Sequence, residues 1–192
     1  MKVGLFFGSF NPIHVGHLVI GNHLAEHTDL DQVWFVVTPH NPFKKKSSLL
    51  DNFQRLEMVY QATKDFTKLK PSDIEFNLPQ PNYTINTLAY LQEKYPNKEF
   101  ALIMGEDNLK SFHKWKNYEL ILEGHHIYVY PRISEKKIEI QFQDHSKVHF
   151  IDAPIMEISS TFIRKSIKEG KNVQPLLPQL VWKYLDEMNF YR

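Results

Sequence analysis

The segment Lys2-Val3-Gly4-Leu5-Phe6-Phe7-Gly8 is a short, nearly continuous apolar run that ends at the Gly8-Ser9 pair. Such a run is typical of a strand that is buried on both faces of a sheet. Apolar residues at helical spacing follow in Val15–His27, and a second apolar, β-branched run follows in Gln32–Val37. Two buried strands with a helix between them predict a parallel sheet.

The rest of the 192-residue chain continues this alternation. Further strands are predicted at Leu69–Phe76, Glu99–Met104, His125–Tyr130 and Val148–Ile151. Further helices are predicted at Asn52–Lys64, at Thr84–Tyr95, in a short stretch after Met104, from Ser159-Ser160-Thr161 to Gly170, and after Pro178. We therefore predict an α/β fold in which a parallel sheet carries helices on both faces, as one domain over residues 1–192. Ligands of such folds bind where the strands end at their carboxyl termini.

The composition excludes several classes of function. The chain has 23 Lys and Arg against 22 Asp and Glu, so it lacks the basic excess of a general nucleic-acid binder. It has no cysteine, which excludes disulfides, thiolate catalysis and cysteine-bound metals. The longest apolar run, Val33–Val37, is far shorter than the roughly 20 residues that span a bilayer, and the start shows no signal peptide. We expect a soluble, cytoplasmic protein that binds neither nucleic acid nor membrane.

The first predicted loop, Gly8-Ser-Phe-Asn-Pro-Ile-His-Val-Gly-His17, carries the chemistry. Gly8 lets backbone N–H groups approach an anion. His14 and His17 are three residues apart at the start of a helix, so both imidazoles can face one side, next to the positive end of the helix dipole. Gly16 leaves room for a ligand. These features predict a phosphate site in which two imidazoles donate hydrogen bonds.

Three alternatives apply to this loop. Either histidine alone is more often a capping or surface residue. A closed zinc site needs a third ligand that the three-residue spacing does not supply nearby. The chain also lacks G-x-G-x-x-G and the Walker motif G-x-x-x-x-G-K-[ST], which argues against the usual dinucleotide-binding and phosphate-binding loops.

The same ten residues resemble the G-x-F-x-P-x-H-x-G-H signature of the nucleotidyltransferase superfamily with the H-x-G-H motif. Within it, the chain is most similar, over nearly its whole length, to bacterial nicotinate-nucleotide adenylyltransferases. The resemblance implies a Rossmann-like domain and a reaction that consumes ATP with Mg²⁺ and releases pyrophosphate. It implies that Gly8, Ser9 and Phe10 bind ATP, and that His14 and His17 contact the triphosphate and stabilise the transition state.

Two later segments imply phosphate-binding residues. Asn41-Pro42-Phe43-Lys44 is similar to the family's P-P-H-K, with Lys44 as the phosphate-binding and catalytic lysine. Asn41 and Phe43 depart from that pattern, so Lys45 and Lys46 are alternatives, and a solvated basic loop is another. Ile158-Ser159-Ser160-Thr161-Phe162-Ile163-Arg164 resembles I-S-S-T-x-I-R. It implies that Ile158, Ser159, Ser160 and Thr161 bind ATP at a capped helix start and that Arg164 clamps the β- or γ-phosphate.

The remaining motifs concern the two organic groups. Tyr83 and Thr84, in a segment similar to the family's S-Y-T, would meet the pyridine-ring substrate, although Thr84 is also simply a good N-cap. Trp115 would stack on the nicotinate ring, unless it is a core residue. Gly105 and Asp107 look like the family's G-x-D and would pack against and hydrogen-bond the adenosine of ATP, although an Asp at a helix start also has a structural explanation.

Together these features predict direct in-line adenylyl transfer from ATP to nicotinate mononucleotide, which gives deamido-NAD and pyrophosphate. No nucleophile motif and no carboxylate cage for a metal are visible, so Mg²⁺ is expected to be carried by ATP. Other adenylyltransferases of the superfamily, above all one for nicotinamide mononucleotide, are alternatives. A nucleotide-sensing protein without turnover is an alternative of another class. A homo-oligomer is compatible with the sequence.

Overall fold

The computed structural model of the chain describes residues 1–39, 49–132 and 142–192, and within these ranges six strands form one parallel sheet. The strands are β1 (Lys2–Gly8), β2 (Gln32–Val37), β3 (Leu69–Ser72), β4 (Glu99–Gly105), β5 (Ile127–Tyr130) and β6 (Val148–Phe150). Their order in the sheet is β3-β2-β1-β4-β5-β6. The order reverses between β1 and β4, and ligands of open parallel sheets bind at such a switch point.

Seven α-helices connect the strands in the described ranges. They are α1 (Val15–His27), α2 (Asn52–Thr63), α3 (Thr84–Lys94), α4 (Glu106–Lys110), α5 (Tyr118–Gly124), α6 (Ser160–Lys168) and α7 (Gln179–Glu187). Short 3₁₀ turns occupy Phe112–Lys114 and Gln174–Leu176. None of these helices is long and apolar enough to cross a lipid bilayer.

Two hydrophobic cores cover the two faces of the sheet, because successive side chains of a strand point to opposite faces. On β1, Val3 and Leu5 pack into one core and Phe6 packs into the other. The Phe6 core is completed by α1, α2, α6 and α7, and the opposite core by α3, α4 and α5. The predicted single α/β domain with helices on both faces is confirmed.

One predicted strand is too long at its end. The sequence predicted Leu69–Phe76, but β3 ends at Ser72, and the Phe76 N–H donates to the Asp73 carbonyl across a turn. Ile74 is buried in the opposite core, which explains the apolar signal that imitated a strand. The chain therefore leaves the sheet early and turns toward the start of α3.

Candidate active site

The loop between β1 and α1 is built around the ring of Phe10. This ring is 2 % exposed and packs edge-on against His17, with the ring centroids 5.1 Å apart. A Cβ atom on Gly8 would lie 2.8 Å from the same ring, so a larger residue does not fit. Gly8, which the sequence predicted to give an anion access to the backbone, also makes room for Phe10. The Phe10 side chain belongs to the core, and only its backbone can face a ligand.

His14 and His17 form a stacked pair at the start of α1. Their ring centroids are 3.7 Å apart and the ring planes differ by 25°. His14 is the N-cap of the helix, and its backbone N–H donates to Nδ1 of His17 over 3.2 Å. Because Nδ1 of His17 accepts that bond, the ring proton of His17 lies on Nε2. The pair therefore caps the helix and places both imidazoles on one side.

The His14 imidazole is neutral at pH 7. Its side chain is buried, and its Nδ1 has no hydrogen-bond partner among the described residues. Burial, and next the positive charge of Arg132, lower the pKa of His14 from 6.5 to about 4. A Cβ atom on Gly16 would lie 3.2 Å from this Nδ1, so glycine keeps the space beside the ring open. A neutral imidazole has one N–H donor, which can serve a phosphate oxygen.

The start of α6 lies directly against the loop that carries His14. Ser160 Oγ donates to the Pro12 carbonyl over 2.8 Å, and Arg164 Nη1 donates to the Asn11 carbonyl over 2.7 Å. Arg164 Nη2 also reaches Thr161 Oγ1 at 3.3 Å. The structure thus brings together the two motifs that the sequence separates by about 150 positions.

The cap of α6 follows the predicted pattern. Ser159 is the N-cap, and its Oγ accepts from the Phe162 N–H over 3.2 Å. Ile158, just before it, is half-buried and packs on the core of the Phe6 face. At this helix start, Thr161 Oγ1 accepts a hydrogen bond from Arg164. The Arg164 guanidinium keeps further N–H donors available.

The end of β4 supplies the next part of the site. A Cβ atom on Gly105 would lie 2.5 Å from Asp107 Oδ1, 3.2 Å from the Tyr130 ring and 3.3 Å from Arg132 Cγ. Arg132 Nε lies 3.9 Å from Asp107 Oδ1, and Arg132 Nη2 donates to the Tyr130 hydroxyl over 3.2 Å. Gly105 is therefore required by these neighbours within the chain. The Asp107 side chain remains exposed.

The predicted segments for the pyridine substrate lie next to each other. The Lys116 ammonium sits 4.4 Å above the Tyr83 ring, which joins the start of α3 to the segment of Trp115. Trp115 is half-buried and packs edge-on against Phe112. One expectation was wrong: Thr84 is the first helical residue, and Tyr83 is the N-cap without a side-chain cap bond.

Arg55 is a buried residue that the sequence interpretation missed. Its guanidinium donates to the carbonyls of Ser9 (2.6 Å), Thr38 (2.9 Å), Pro39 (3.3 Å) and Leu50 (3.0 Å). Burial lowers the pKa of Arg55 to about 10, so the side chain remains charged at neutral pH. It ties the end of β2 to the loop of Gly8–His17. A charged residue on the buried stripe of α2, in line with Met58 and Ala62, was the available signal.

Glu75 is a second missed residue, beneath the start of α3. It is 2 % exposed; its Oε1 accepts from Thr87 Oγ1 over 2.8 Å, and its backbone carbonyl accepts from Asn82 Nδ2 over 3.2 Å. The Thr38 hydroxyl also hydrogen-bonds its carboxyl group. Glu75 therefore connects the end of β2 with the Tyr83 segment.

Two further predictions concern the phosphate-binding lysine and the binding of a metal ion. Lys44, with its alternatives Lys45 and Lys46, lies outside the described residues. In the described ranges, no group of three or more His, Asp or Glu side chains is arranged to hold a metal ion.

Comparison with known proteins places this site in a family. A model of the cytidylyltransferase-like family matches residues 5–166. A protein of Flavobacterium johnsoniae named probable nicotinate-nucleotide adenylyltransferase is 70% identical over the full length of both chains. A protein of Cytophaga hutchinsonii with the same name is 50% identical over all of this chain and 98% of its own.

Solved structures agree in fold. The nicotinic acid mononucleotide adenylyltransferase of Plasmodium falciparum complexed with NaAD aligns with a TM-score of 0.81 and 19% identity, over 99% of this chain and 97% of that one. The crystal structure named as a nicotinate-nucleotide adenylyltransferase from Vibrio parahaemolyticus aligns with a TM-score of 0.73 and 24% identity, over 100% and 95%. On the family match and the full-length relatives, this chain belongs to the cytidylyltransferase-like family and, within it, to the nicotinate-nucleotide adenylyltransferases.

Proposed function

We propose that the protein transfers the adenylyl group of ATP to the 5′-phosphate of nicotinate mononucleotide, forming deamido-NAD and releasing pyrophosphate. One observation carries the proposal. Arg164 and Ser160 of α6 hydrogen-bond the carbonyls of Asn11 and Pro12, and so lie against the loop that presents the stacked pair His14 and His17. Imidazole, guanidinium and helix N–H donors then converge on one space, which suits a triphosphate.

The reaction needs no nucleophile from the enzyme. A 5′-phosphate oxygen of the mononucleotide attacks the α-phosphorus of ATP, the bond from that phosphorus to the bridging oxygen breaks, and pyrophosphate takes the electron pair. The enzyme must align the two substrates and stabilise the charge that moves to the leaving group. We assign this stabilisation to the N–H donors of His14 and His17 and to the guanidinium of Arg164.

ATP enters this mechanism as its magnesium complex. Mg²⁺ would reach the site on the phosphates of ATP, and the side chains that would hold this complex are those of His14, His17 and Arg164. When bound, Mg²⁺ neutralises part of the charge of the phosphates. The residues of the chain hold the remaining oxygens, and we place Lys44 among them together with Arg164.

The acceptor site is assigned to the start of α3 and the segment after α4. The first N–H groups of α3 are free of helical partners and carry the positive end of the helix dipole. The Lys116 ammonium above the Tyr83 ring adds positive charge at the same place. A nicotinate carboxylate accepts charge-assisted bonds from such groups, whereas the NH₂ of an amide would oppose them. We assign Trp115 to stacking on the pyridine ring and Asp107 to the adenosine.

The experiment is a measurement of pyrophosphate release with saturating MgATP and either nicotinate or nicotinamide mononucleotide, on one batch of enzyme. We expect kcat/KM for the acid to exceed that for the amide by roughly 30- to 1,000-fold, the effect of mispaired buried polar groups. Equal values would assign the amide as an equal acceptor and leave adenylyl transfer in place. Binding of MgATP without pyrophosphate release from either mononucleotide would indicate a nucleotide-sensing protein.

A further inference from the structure

The loop Ser9–Pro12 is held in a strained shape from outside. Phe10 has a φ of 45°, a left-handed conformation that is strained for a non-glycine residue and persists only where neighbours enforce it. The carbonyls of Ser9, Asn11 and Pro12 each accept a side-chain hydrogen bond from α2 or α6. The geometry of the loop is therefore set by residues far away in the chain.

The C-terminal segment adds a further hydrogen bond to this loop, at the side chain of Asn11. The Tyr191 hydroxyl donates to Asn11 Oδ1 over 2.6 Å, across 180 positions of sequence, and the Leu50 N–H donates to the same oxygen over 3.3 Å. The guanidinium groups of Arg55 and Arg164 both lie close enough to Tyr191 to act on its hydroxyl electrostatically. Burial raises the pKa of Tyr191, so the hydroxyl keeps its proton and remains a donor at neutral pH.

The hydroxyl is not what fastens the chain end. After α7, Asn189 adopts a left-handed φ of 54°, its N–H donates to the Asp186 carbonyl, and the Phe190 N–H donates to the Leu185 carbonyl. These two bonds form a Schellman motif. Phe190 is buried and packs edge-on against Tyr184, with ring centroids 5.7 Å apart. The motif and this packing anchor the segment, which leaves the Tyr191–Asn11 bond available for another role.

We propose that Tyr191 is a positioning residue for adenylyl transfer: its hydroxyl fixes Asn11, and Asn11 in turn fixes the loop that presents His14 and the carbonyl that orients Arg164. The proposal rests on the proposed function of the His14 and Arg164 site. Tyr191 acts through Asn11. The side-chain oxygen of Asn11 accepts from Tyr191 and Leu50 and its backbone carbonyl accepts from Arg164, so Asn11 holds the loop to three separate parts of the chain.

The test compares Tyr191→Phe with Tyr184→Phe. Phenylalanine keeps the ring of Tyr191 and removes only the hydroxyl. Tyr184, the control, lies on α7, where its ring packs against Phe190 and the charged group that acts on its hydroxyl is Glu57. We expect Tyr191→Phe to lower kcat/KM for MgATP about five- to tenfold, the effect of one lost hydrogen bond, with an unchanged KM for the mononucleotide. Tyr184→Phe and deletion of Arg192 should both keep wild-type kinetics.

Three outcomes would count against the proposal. Wild-type kinetics in Tyr191→Phe, or an equal loss in Tyr184→Phe, would show that the hydroxyl does not position the loop. Failure of Tyr191→Phe to fold at the assay temperature would make the bond a requirement for folding only. An inactive wild-type enzyme would overturn the proposed function instead, and weaker MgATP binding by Tyr191→Phe in calorimetry would then decide the role of Tyr191.

Discussion

The backbone N–H of His14 donates to Nδ1 of His17, and the two imidazole rings stack with centroids 3.7 Å apart. Each residue therefore orients the other: His14 fixes the tautomer of His17, and the His17 ring covers one face of His14. This coupling follows from the three-residue spacing at a helix start, where the N-cap and the third helical residue meet.

We predict that replacing either histidine with alanine lowers kcat about a hundredfold or more. The reason is the loss of an N–H donor aimed at charge that develops on the leaving pyrophosphate, an effect of that size for preorganised donors. The measurement is steady-state pyrophosphate release with both substrates saturating, together with thermal denaturation of each variant.

A matched control lies on the same helix. His23 and His27 also stack, with centroids 4.5 Å apart, but they lie two to three turns after the loop. His23→Ala should retain wild-type kcat. A fully active His17→Ala enzyme would remove this histidine from the mechanism.

The local pattern was enough to predict much of the fold. The bounds of β1, α1 and β2 are those predicted, because both strands are short, nearly continuous apolar runs and the segment between them has apolar residues at helical spacing. The strand after α2 was predicted too long because burial of Ile74 in a turn has the same apolar signal as burial in a strand. The resemblance implied phosphate-binding roles for Arg164 and for the first loop, and the structure brings Arg164 against that loop.

The missed residues share a physical reason. Arg55 and Glu75 are charged side chains that are buried through hydrogen bonds to groups distant in sequence, and pattern analysis assigns charged residues to the surface. Tyr191 follows the last helix, where no periodicity remains, and its partner Asn11 is 180 positions away. Contacts of this kind depend on the assembled topology.

Acid should destabilise the fold through His14. Its pKa falls from 6.5 to about 4 on folding, so between these values the unfolded chain binds a proton that the folded chain does not. The contribution of His14 to the free energy of unfolding is fully present above pH 6.5. It is lost as the pH falls toward 4, and the loss is about 2–3 kcal/mol near pH 4.5. Urea unfolding of the wild type and of His14→Gln at pH 7 and about pH 4.5 measures it. The variant should lose less stability, and equal losses would contradict the prediction.

Arg164→Lys should impair the enzyme although the charge is kept. The planar guanidinium bonds the Asn11 carbonyl and Thr161 Oγ1 and still has donors for a phosphate, which a single ammonium group cannot reproduce. We expect kcat/KM for MgATP to fall about tenfold or more. Lys165→Arg, the reverse exchange at an exposed position of the same helix, should leave both kcat and the KM for MgATP unchanged. Unaltered kinetics in Arg164→Lys would show that the fork is not used.

The last prediction concerns the buried carboxyl of Glu75. Burial raises the pKa of Glu75 above its ordinary value of 4.5, its Oε1 is held by Thr87, and its Oε2 has no partner in the described parts of the chain. A carboxyl whose pKa is higher in the folded state stabilises the fold most below the pKa of the unfolded chain. This contribution is lost as the pH rises through the folded value.

Glu75→Gln keeps an acceptor for Thr87 and cannot ionise. We therefore expect the variant to gain stability relative to the wild type as the pH rises from 5 to 8, because only the wild type must ionise or keep protonated a buried carboxyl. Thermal and urea unfolding across this range provide the measurement, with Glu93→Gln, an exposed carboxylate on α3, as the control that should show no such gain. Parallel stability curves for wild type and Glu75→Gln would mean that the Glu75 carboxyl has the same pKa in the folded and unfolded states.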